Sequence, residues 1–278
     1  MNLALLPNEL FVVIAGLFGA AIGSFLHVCV WRIPHEQSVV TPGSHCPACG
    51  HPIPWHDNIP LFSYLWLRGA CRFCHTRIPV RYPLYELITA LLFMGIVYRY
   101  HLTPTALLYL GVVCNLIIAA GIDWDYQYIP DFLSLPMIPL SLAVAAVAQW
   151  TLWFPTALVQ TVPGAALGVL VGGGTIWLIR ILGSWFFRQE AMGFGDVKLM
   201  GFLGGFLGWP NSLLCIFLAA FLGSIVGMGF KMAGKLEKYG HIPFGPYLAL
   251  GAYLCFLYGP EIIVWYTRPL AALTNGEY

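Results

Sequence analysis

Charge is what this sequence has least of. Only 9% of its 278 residues are Asp, Glu, Lys or Arg, the net charge is +1, and the mean hydropathy is +0.77. So thin a polar surface excludes an ordinary soluble domain. The near-neutral balance excludes the basic face of a nucleic-acid binder. No Lys or Arg precedes the first apolar run, and that run is too long for the core of a secretory signal. It is therefore expected to be a retained span. No dinucleotide-type glycine fingerprint is present. The run Val171 to Thr175 lacks a preceding strand and a phosphate ligand, so it reads as close helix packing. No Ser-His-Asp or Cys-His arrangement stands out.

What is present is apolar length. Runs fall at about Leu10 to Val30, Leu84 to Tyr98, Thr105 to Ile122, Phe132 to Trp150 and Gly164 to Phe187. Others follow at Leu199 to Trp209, Ser212 to Met232 and Phe244 to Tyr266. Several reach the ~20 residues that a membrane helix needs. The expected fold is an all-α polytopic membrane protein of about eight transmembrane helices, with six or seven as the alternatives. Its expected parts are a first helix at 1–30, a cytoplasmic metal-binding loop at 31–82 and a membrane domain at 83–278. Ten tryptophans and fourteen tyrosines suit the two interfacial belts. Small-xxx-small pairs such as Gly19 and Gly23, Gly168 and Gly172, and Gly204 and Gly208 predict closely approaching helices.

An outside N-terminus puts Arg32, Arg68, Arg72, Arg77, Arg81, Arg188, Lys198, Lys231, Lys235 and Lys238 on the cytoplasmic side. Only Arg99 and Arg268 then lie outside, which is the bias expected of a correct orientation.

The loop carries Cys46-Pro47-Ala48-Cys49 and Cys71-Arg72-Phe73-Cys74. Two such knuckles can close a tetrahedral four-thiolate site, with zinc the expected metal. A loop this small has little core, so metal binding would supply much of its folding energy. Cytoplasmic placement disfavours disulfides. His45, His51 and His75 stand beside the knuckles as alternative ligands. Cys29, Cys114, Cys215 and Cys255 lie within apolar runs and read as small buried hydrophobes.

Carboxylates at the edge of apolar spans are costly and point to function. Asp123 follows the run ending at Ile122, and Asp196 ends Gly193-Phe194-Gly195-Asp196. Both edges are cytoplasmic in this orientation, so the two could share acid–base chemistry on one water. Gly193 and Gly195 are expected to loosen the helix start. Asp131, after Pro130, reads as a helix N-cap. Asp125 is a third candidate for the first catalytic position.

These segments, in order, resemble those of the type IV prepilin peptidases. The resemblance runs through Gly23-Ser24-Phe25-Leu26 and Arg32-Ile33-Pro34, the two knuckles, and Arg81-Tyr82-Pro83-Leu84-Tyr85-Glu86. It continues through Ile122-Asp123 with Ile129-Pro130-Asp131, Gly193 to Lys198, and Pro243-Phe244-Gly245-Pro246-Tyr247. His27 departs from it, where the family usually has Asn. The resemblance implies an enzyme of the bacterial inner membrane that removes the basic leader of prepilins and pseudopilins. It would then methylate the new amino terminus with S-adenosylmethionine. Asp123 and Asp196 match the family's catalytic pair. Pilus or secretion machinery would be its partners, with lipid around it and no nucleic acid. Gly69 and the Arg81 to Glu86 segment stand as candidates for the methyl-transfer site, with loop structure as the competing reading. A peptidase without methyl transfer, a proton-coupled transporter and a metal-binding scaffold are the alternatives.

Overall fold

The computed structural model describes residues 7–188, 192–234 and 243–275. Lys235 and Lys238, placed above at span ends, lie outside the described residues. Among the described residues the regular elements are helices, and two isolated β-bridges, His45 with Pro52 and Ala70 with Arg77, are the only pairings.

The helices are α1 (Asn8–Arg32), α2 (Phe62–Trp66), α3 (Arg81–Tyr100), α4 (Pro104–Tyr126) and α5 (Asp131–Ser134). They continue with α6 (Met137–Trp150), α7 (Val162–Phe187), α8 (Phe194–Met232) and α9 (Gly245–Asn275). Six helical stretches are long and apolar enough to cross a membrane, with α5 and α6 counted as one stretch. Large side chains such as Leu17, Phe18, Leu170 and Trp185 are exposed, as a lipid-facing surface requires. This is a multi-pass membrane protein.

The eight apolar runs differ from this count in two places. The run from Leu84 folds as α3, but Arg81, Glu86, Arg99 and four tyrosines make that helix less apolar. The runs from Leu199 and Ser212 fall on either side of a kink at Gly208 within α8, which is two helices joined end to end. Its 39 residues would reach about 58 Å at 1.5 Å per residue, against a hydrocarbon core of about 30 Å. Gly208, at φ 74° and ψ 168°, breaks it just before Pro210. Asn211 Nδ2 donates to the Leu207 carbonyl at 3.0 Å and Ser212 Oγ to the Gly208 carbonyl at 2.7 Å. Side chains thus satisfy carbonyls that the break releases, which an apolar medium demands.

The chain forms two compact units, Met1–Gly121 and Ile122–Tyr278. In the first, α1 packs on α3 through Gly16, Gly19 and Gly23. A Cβ on Gly23 would meet the Tyr85 carbonyl at 2.7 Å and Glu86 Cα at 2.9 Å. In the second, α8 packs on α7 and α9. Added Cβ atoms on Gly168 and Gly204 would each run into the other's backbone carbonyl. The glycine stripes are therefore helix crossings. Thr161 caps α7, its hydroxyl accepting from the Gly164 amide at 3.2 Å, with Pro163 in the first turn.

Candidate active site and metal centre

In the Ile122–Tyr278 unit, Asp123 lies in the last turn of α4 and Asp196 in the first turn of α8. They are only 6% and 7% exposed, whereas Asp125 is exposed. Gln127, in the left-handed region at φ 57°, ends α4 by returning its amide to the Asp123 carbonyl at 2.9 Å. The chain then runs through buried Ile129 and Pro130. Gly195 lies against Ile129, whose Cβ would stand 3.1 Å from an added Cβ.

The helix start is ordered, contrary to the loosening expected from Gly193 and Gly195. Gly193 is the N-cap of α8 in an extended conformation at φ −66°, and Gly195 is already helical. The two glycines make room: Gly195 admits Ile129, and the Asp196 carboxylate turns back to accept from the Gly193 amide. That is the acidic half of a capping box. It aims Asp196 at the positive end of α8. Asp196 Oδ1 is buried with no hydrogen-bond partner among the described residues.

Asp123 is held by α9. The Gly245 amide donates to Asp123 Oδ2 at 2.8 Å, and a Cβ on Gly245 would fall 2.6 Å from that oxygen. Sequence reading noted the Pro243 to Tyr247 segment without giving Gly245 a task. A glycine between two prolines at a helix start is the signal that was there to use. The two carboxyl groups are near enough to interact electrostatically. The fold therefore brings Asp123 and Asp196 together, and keeps Asp125 and Asp131 on the surface.

Asp131 is the first helical residue of α5 rather than its N-cap, which is Pro130, and it makes no capping bond. Proline fixes the extended conformation a cap residue needs, so the boundary falls one residue earlier. Asp131, 61% exposed, instead pairs with Lys198 at 2.6 Å. Lys198 Nζ also lies 5.0 Å from the Phe194 ring centroid, and the Arg180 guanidinium lies 5.7 Å from the same ring. Arg180 Nε donates to the Met192 carbonyl at 3.1 Å, which tethers the segment leading into Gly193. A shallow apolar cleft of about 350 Å³ adjoins this end of α8, between Phe194, Val197 and Gly201 on one side and Val169 and Trp177 on the other.

In the Met1–Gly121 unit, the sulfur atoms of Cys46, Cys49, Cys71 and Cys74 all lie within 4.8 Å of one another. The knuckles repeat one geometry. Cys46 and Cys71 receive their turns through amides bonded to the His51 and Thr76 carbonyls, both at 2.9 Å. Gly50 and His75 occupy the same left-handed position, at φ 70° and 55°. Cys46 and Cys74 Sγ are 3.7 Å apart, close to the ~3.8 Å edge of a tetrahedron with ~2.3 Å metal–sulfur bonds. Hydrogen bonding with the Thr76 hydroxyl and backbone draws the Cys74 thiol down to about 6. The His51 amide favours the Cys49 thiolate, yet burial and the neighbouring thiols push Cys49 up to about 11. A divalent cation would relieve that repulsion, and the four thiols can hold a metal ion. His45, His51 and His75 are outside the cluster. Arg72 makes a two-pronged contact with Asp57, at 2.7 and 2.5 Å, bracing the second knuckle. Cys29, Cys215 and Cys255 are buried in apolar packing, and Cys114 is half-buried.

The chain matches two family models. The bacterial peptidase A24 N-terminal domain covers residues 17–100, and the type IV leader peptidase family covers residues 110–228. A protein of Pseudomonas putida named prepilin leader peptidase/N-methyltransferase is 35% identical, over 91% of this chain and 92% of its own length. Proteins of the same name from Aeromonas hydrophila and Pseudomonas aeruginosa are 34% and 35% identical. Those matches cover 90% and 93% of this chain, and 91% and 94% of the relatives. No solved structure matches the chain.

Proposed function

The chain belongs to the type IV leader peptidase family, and from that premise we propose that it removes the leader of prepilins and pseudopilins and methylates the new amino terminus. The reading is carried by two aspartates, buried on α4 and α8 and interacting. One carboxylate, ionised, takes a proton from water. Its partner, protonated, polarises the scissile carbonyl and then donates to the leaving amine. The pair titrates as a unit, so a pH profile belongs to both residues together. Asp123 and Asp196 are the catalytic residues in this proposal. Gly245 and Gly193 position them. The apolar cleft beside Phe194 seats part of the substrate's hydrophobic segment.

Cys46, Cys49, Cys71 and Cys74 are the proposed ligands of a structural zinc ion. Four thiolates leave it no open position for catalysis. S-adenosylmethionine is the proposed methyl donor. When the amine nitrogen takes the methyl group, the carbon–sulfur bond breaks and one proton leaves the nitrogen. The protein is placed in the bacterial inner membrane, N-terminus outward and active site at the cytoplasmic face, beside pilus or secretion machinery.

The test supplies purified protein in nanodiscs with a prepilin and radiolabelled S-adenosylmethionine, beside Asp123→Asn and Asp196→Asn. Leader loss in the wild type alone, with label on the product, is the expected result. Cleavage by either variant at the wild-type rate would refute the dyad.

A further inference from the structure

The short helix of the metal-binding loop, α2, is apolar on its outside. Ser63 is buried, its hydroxyl donating to the His56 carbonyl at 2.9 Å and accepting from the Ile59 amide at 3.1 Å. The Tyr64 hydroxyl donates to the Ile78 carbonyl at 3.3 Å. The polar side chains of α2 thus face the loop. Phe62, Leu65 and Trp66, spaced i, i+3 and i+4, share another face and are 58%, 75% and 71% exposed. The Phe62 and Trp66 rings stack with centroids 6.0 Å apart. A helix lying on a soluble domain has the reverse pattern, and a contiguous exposed apolar face marks a surface that something covers.

Two contacts fix how deep that face lies. The Leu61 amide, at the start of α2, donates to Glu86 Oε2 at 2.8 Å. Leu61 is held there at φ 61°, a region that L side chains rarely adopt. Glu86 in turn stands level with Gly23, where an added Cβ would lie 2.9 Å from Glu86 Cα. Gly23 comes nine residues before Arg32, the end of α1, a distance of about 13 Å at 1.5 Å per residue. α1 is long and apolar enough to cross the membrane, and its 25 residues reach about 37 Å against a hydrocarbon core of about 30 Å. The start of α2 is therefore tied to a level inside the headgroup boundary. A protein partner would have to displace lipid to reach the face at that depth. The charge nearby agrees. Between Trp55 and Tyr82 four arginines stand against one acidic residue, Asp57, which Arg72 holds. The Ile78 amide donates to the Gly69 carbonyl at 2.7 Å, which sets Arg77 beside Arg68 at the end of α2, and both are exposed.

We propose that α2 is an interfacial anchor. Phe62, Leu65 and Trp66 enter the acyl–headgroup boundary of the leaflet that α1 leaves at Arg32, and Arg68 and Arg77 meet the lipid phosphates. Interfacial helices combine an apolar face buried by about 5–10 Å, aromatic residues at the boundary and basic residues beside them. With only five residues, α2 is too short to hold a bilayer alone. The bond to Glu86 and the chain's entry into α1 and α3 keep it there. The anchor lays the metal-binding loop against the membrane instead of letting it swing on its two connections. A peptidase with or without methyl transfer would carry the same device.

The experiment places p-benzoylphenylalanine singly at Leu65, Trp66, Leu17 or Val40 of the full chain in phospholipid nanodiscs, and counts photo-adducts with an acyl-tagged phospholipid. Leu17, exposed on α1, is the lipid-facing standard. Val40, equally exposed, is the contrast, because Arg32 holds its turn at the end of α1 through the Ser38 and Pro42 carbonyls, both at 2.8 Å. Leu65 and Trp66 are expected within about threefold of Leu17 and at least about fivefold above Val40. Yields at the Val40 level would overturn the proposal, as would adducts with a second copy of the chain in place of lipid. Hydroxyl-radical footprinting of the unaltered protein covers the case in which the label unseats the loop. Corrected for exposure and intrinsic reactivity, Leu65 and Trp66 should oxidise at least about fivefold more slowly than Val40. Equal oxidation would overturn the anchor by itself.

Discussion

Gly245→Ala tests how far the dyad depends on its support. An added Cβ would fall 2.6 Å from Asp123 Oδ2 and 3.1 Å from its Cγ, where real Cβ contacts do not come below 3.0 Å. The carboxylate or the start of α9 must therefore move by about 0.4 Å or more, by the difference between 3.0 and 2.6 Å. That shift also strains the 2.8 Å amide bond to Oδ2. Misplacing a reacting group by ~1 Å costs roughly 100-fold, and a hydrogen bond to a charged group contributes about 1.5–3 kcal/mol. Together they predict a fall in kcat of about 10- to 100-fold with KM little changed. Single-turnover leader cleavage in nanodiscs reads the first, and substrate titration the second. Gly111→Ala is the control, because nothing lies within 4 Å of its added Cβ. It should leave cleavage intact and, if anything, stabilise α4 by up to ~1 kcal/mol. Cleavage by Gly245→Ala within twofold of wild type would refute the positioning argument. So would equal damage from Gly111→Ala.

Asp123→Asn and Asp196→Asn should each lower cleavage by about 100-fold or more while zinc content and folding persist. Asp131→Asn loses an exposed pair worth at most about 1 kcal/mol and should cleave nearly normally, as thermal unfolding beside the cleavage assay will report. If Asp125→Asn abolishes cleavage and Asp123→Asn does not, the assignment within that loop is reversed. Cys46→Ser should take bound zinc from one ion per chain to none, measured by elemental analysis, and open the loop to limited proteolysis. Arg72 holds the Asp57 carboxyl below the ordinary carboxylate range, first through its hydrogen bonds and then through its charge. That stabilisation is present above the ordinary pKa of ~3.9 and lost as pH falls through the lower folded value. The thermal destabilisation of Arg72→Ala should accordingly stay constant between about pH 8 and 5. A gap that closes within that window would show the pair has another role.

Much of this was legible because the membrane simplifies the sequence. Long apolar runs have few alternatives to helices, and a carboxylate at a span edge has few reasons to be there. Asp123 and Asp196 could be chosen from depth in the chain, and the four cysteines from spacing. What could not be read depends on neighbours distant in sequence. The Gly245 amide meets Asp123 across 122 residues, and no local pattern announces it. Asp131 looked like a cap because acidic residues cap helices, but its use was decided by Lys198, 67 residues away. The Leu199 and Ser212 runs are separated by the kink at Gly208, whereas Arg81, Glu86 and Arg99 leave the Leu84 run less apolar than the six spanning stretches. Glu86 was legible only as part of a segment. Its burial against the Leu61 amide and Ser24 is a property of three dimensions.

The glycine stripes join packing to chemistry. An added Cβ on Gly172 would lie 2.8 Å from the Met200 carbonyl, a backbone atom that cannot swing aside. Met200 is one helical turn from Asp196, so the α7–α8 crossing sets where that carboxylate stands. Reading the stripe as close packing is correct, yet the packing is also what fixes the site. Gly172→Ala should part the helices by a few tenths of an ångström and lower cleavage several-fold, less than Gly245→Ala, because Asp196 feels the shift through a turn of helix. Gly229, beyond the Gly208 break in α8, faces open space, and Gly229→Ala should do nothing. Equal rates for the two variants would mean that Asp196 is held by its own cap at Gly193 and that the crossing serves stability alone.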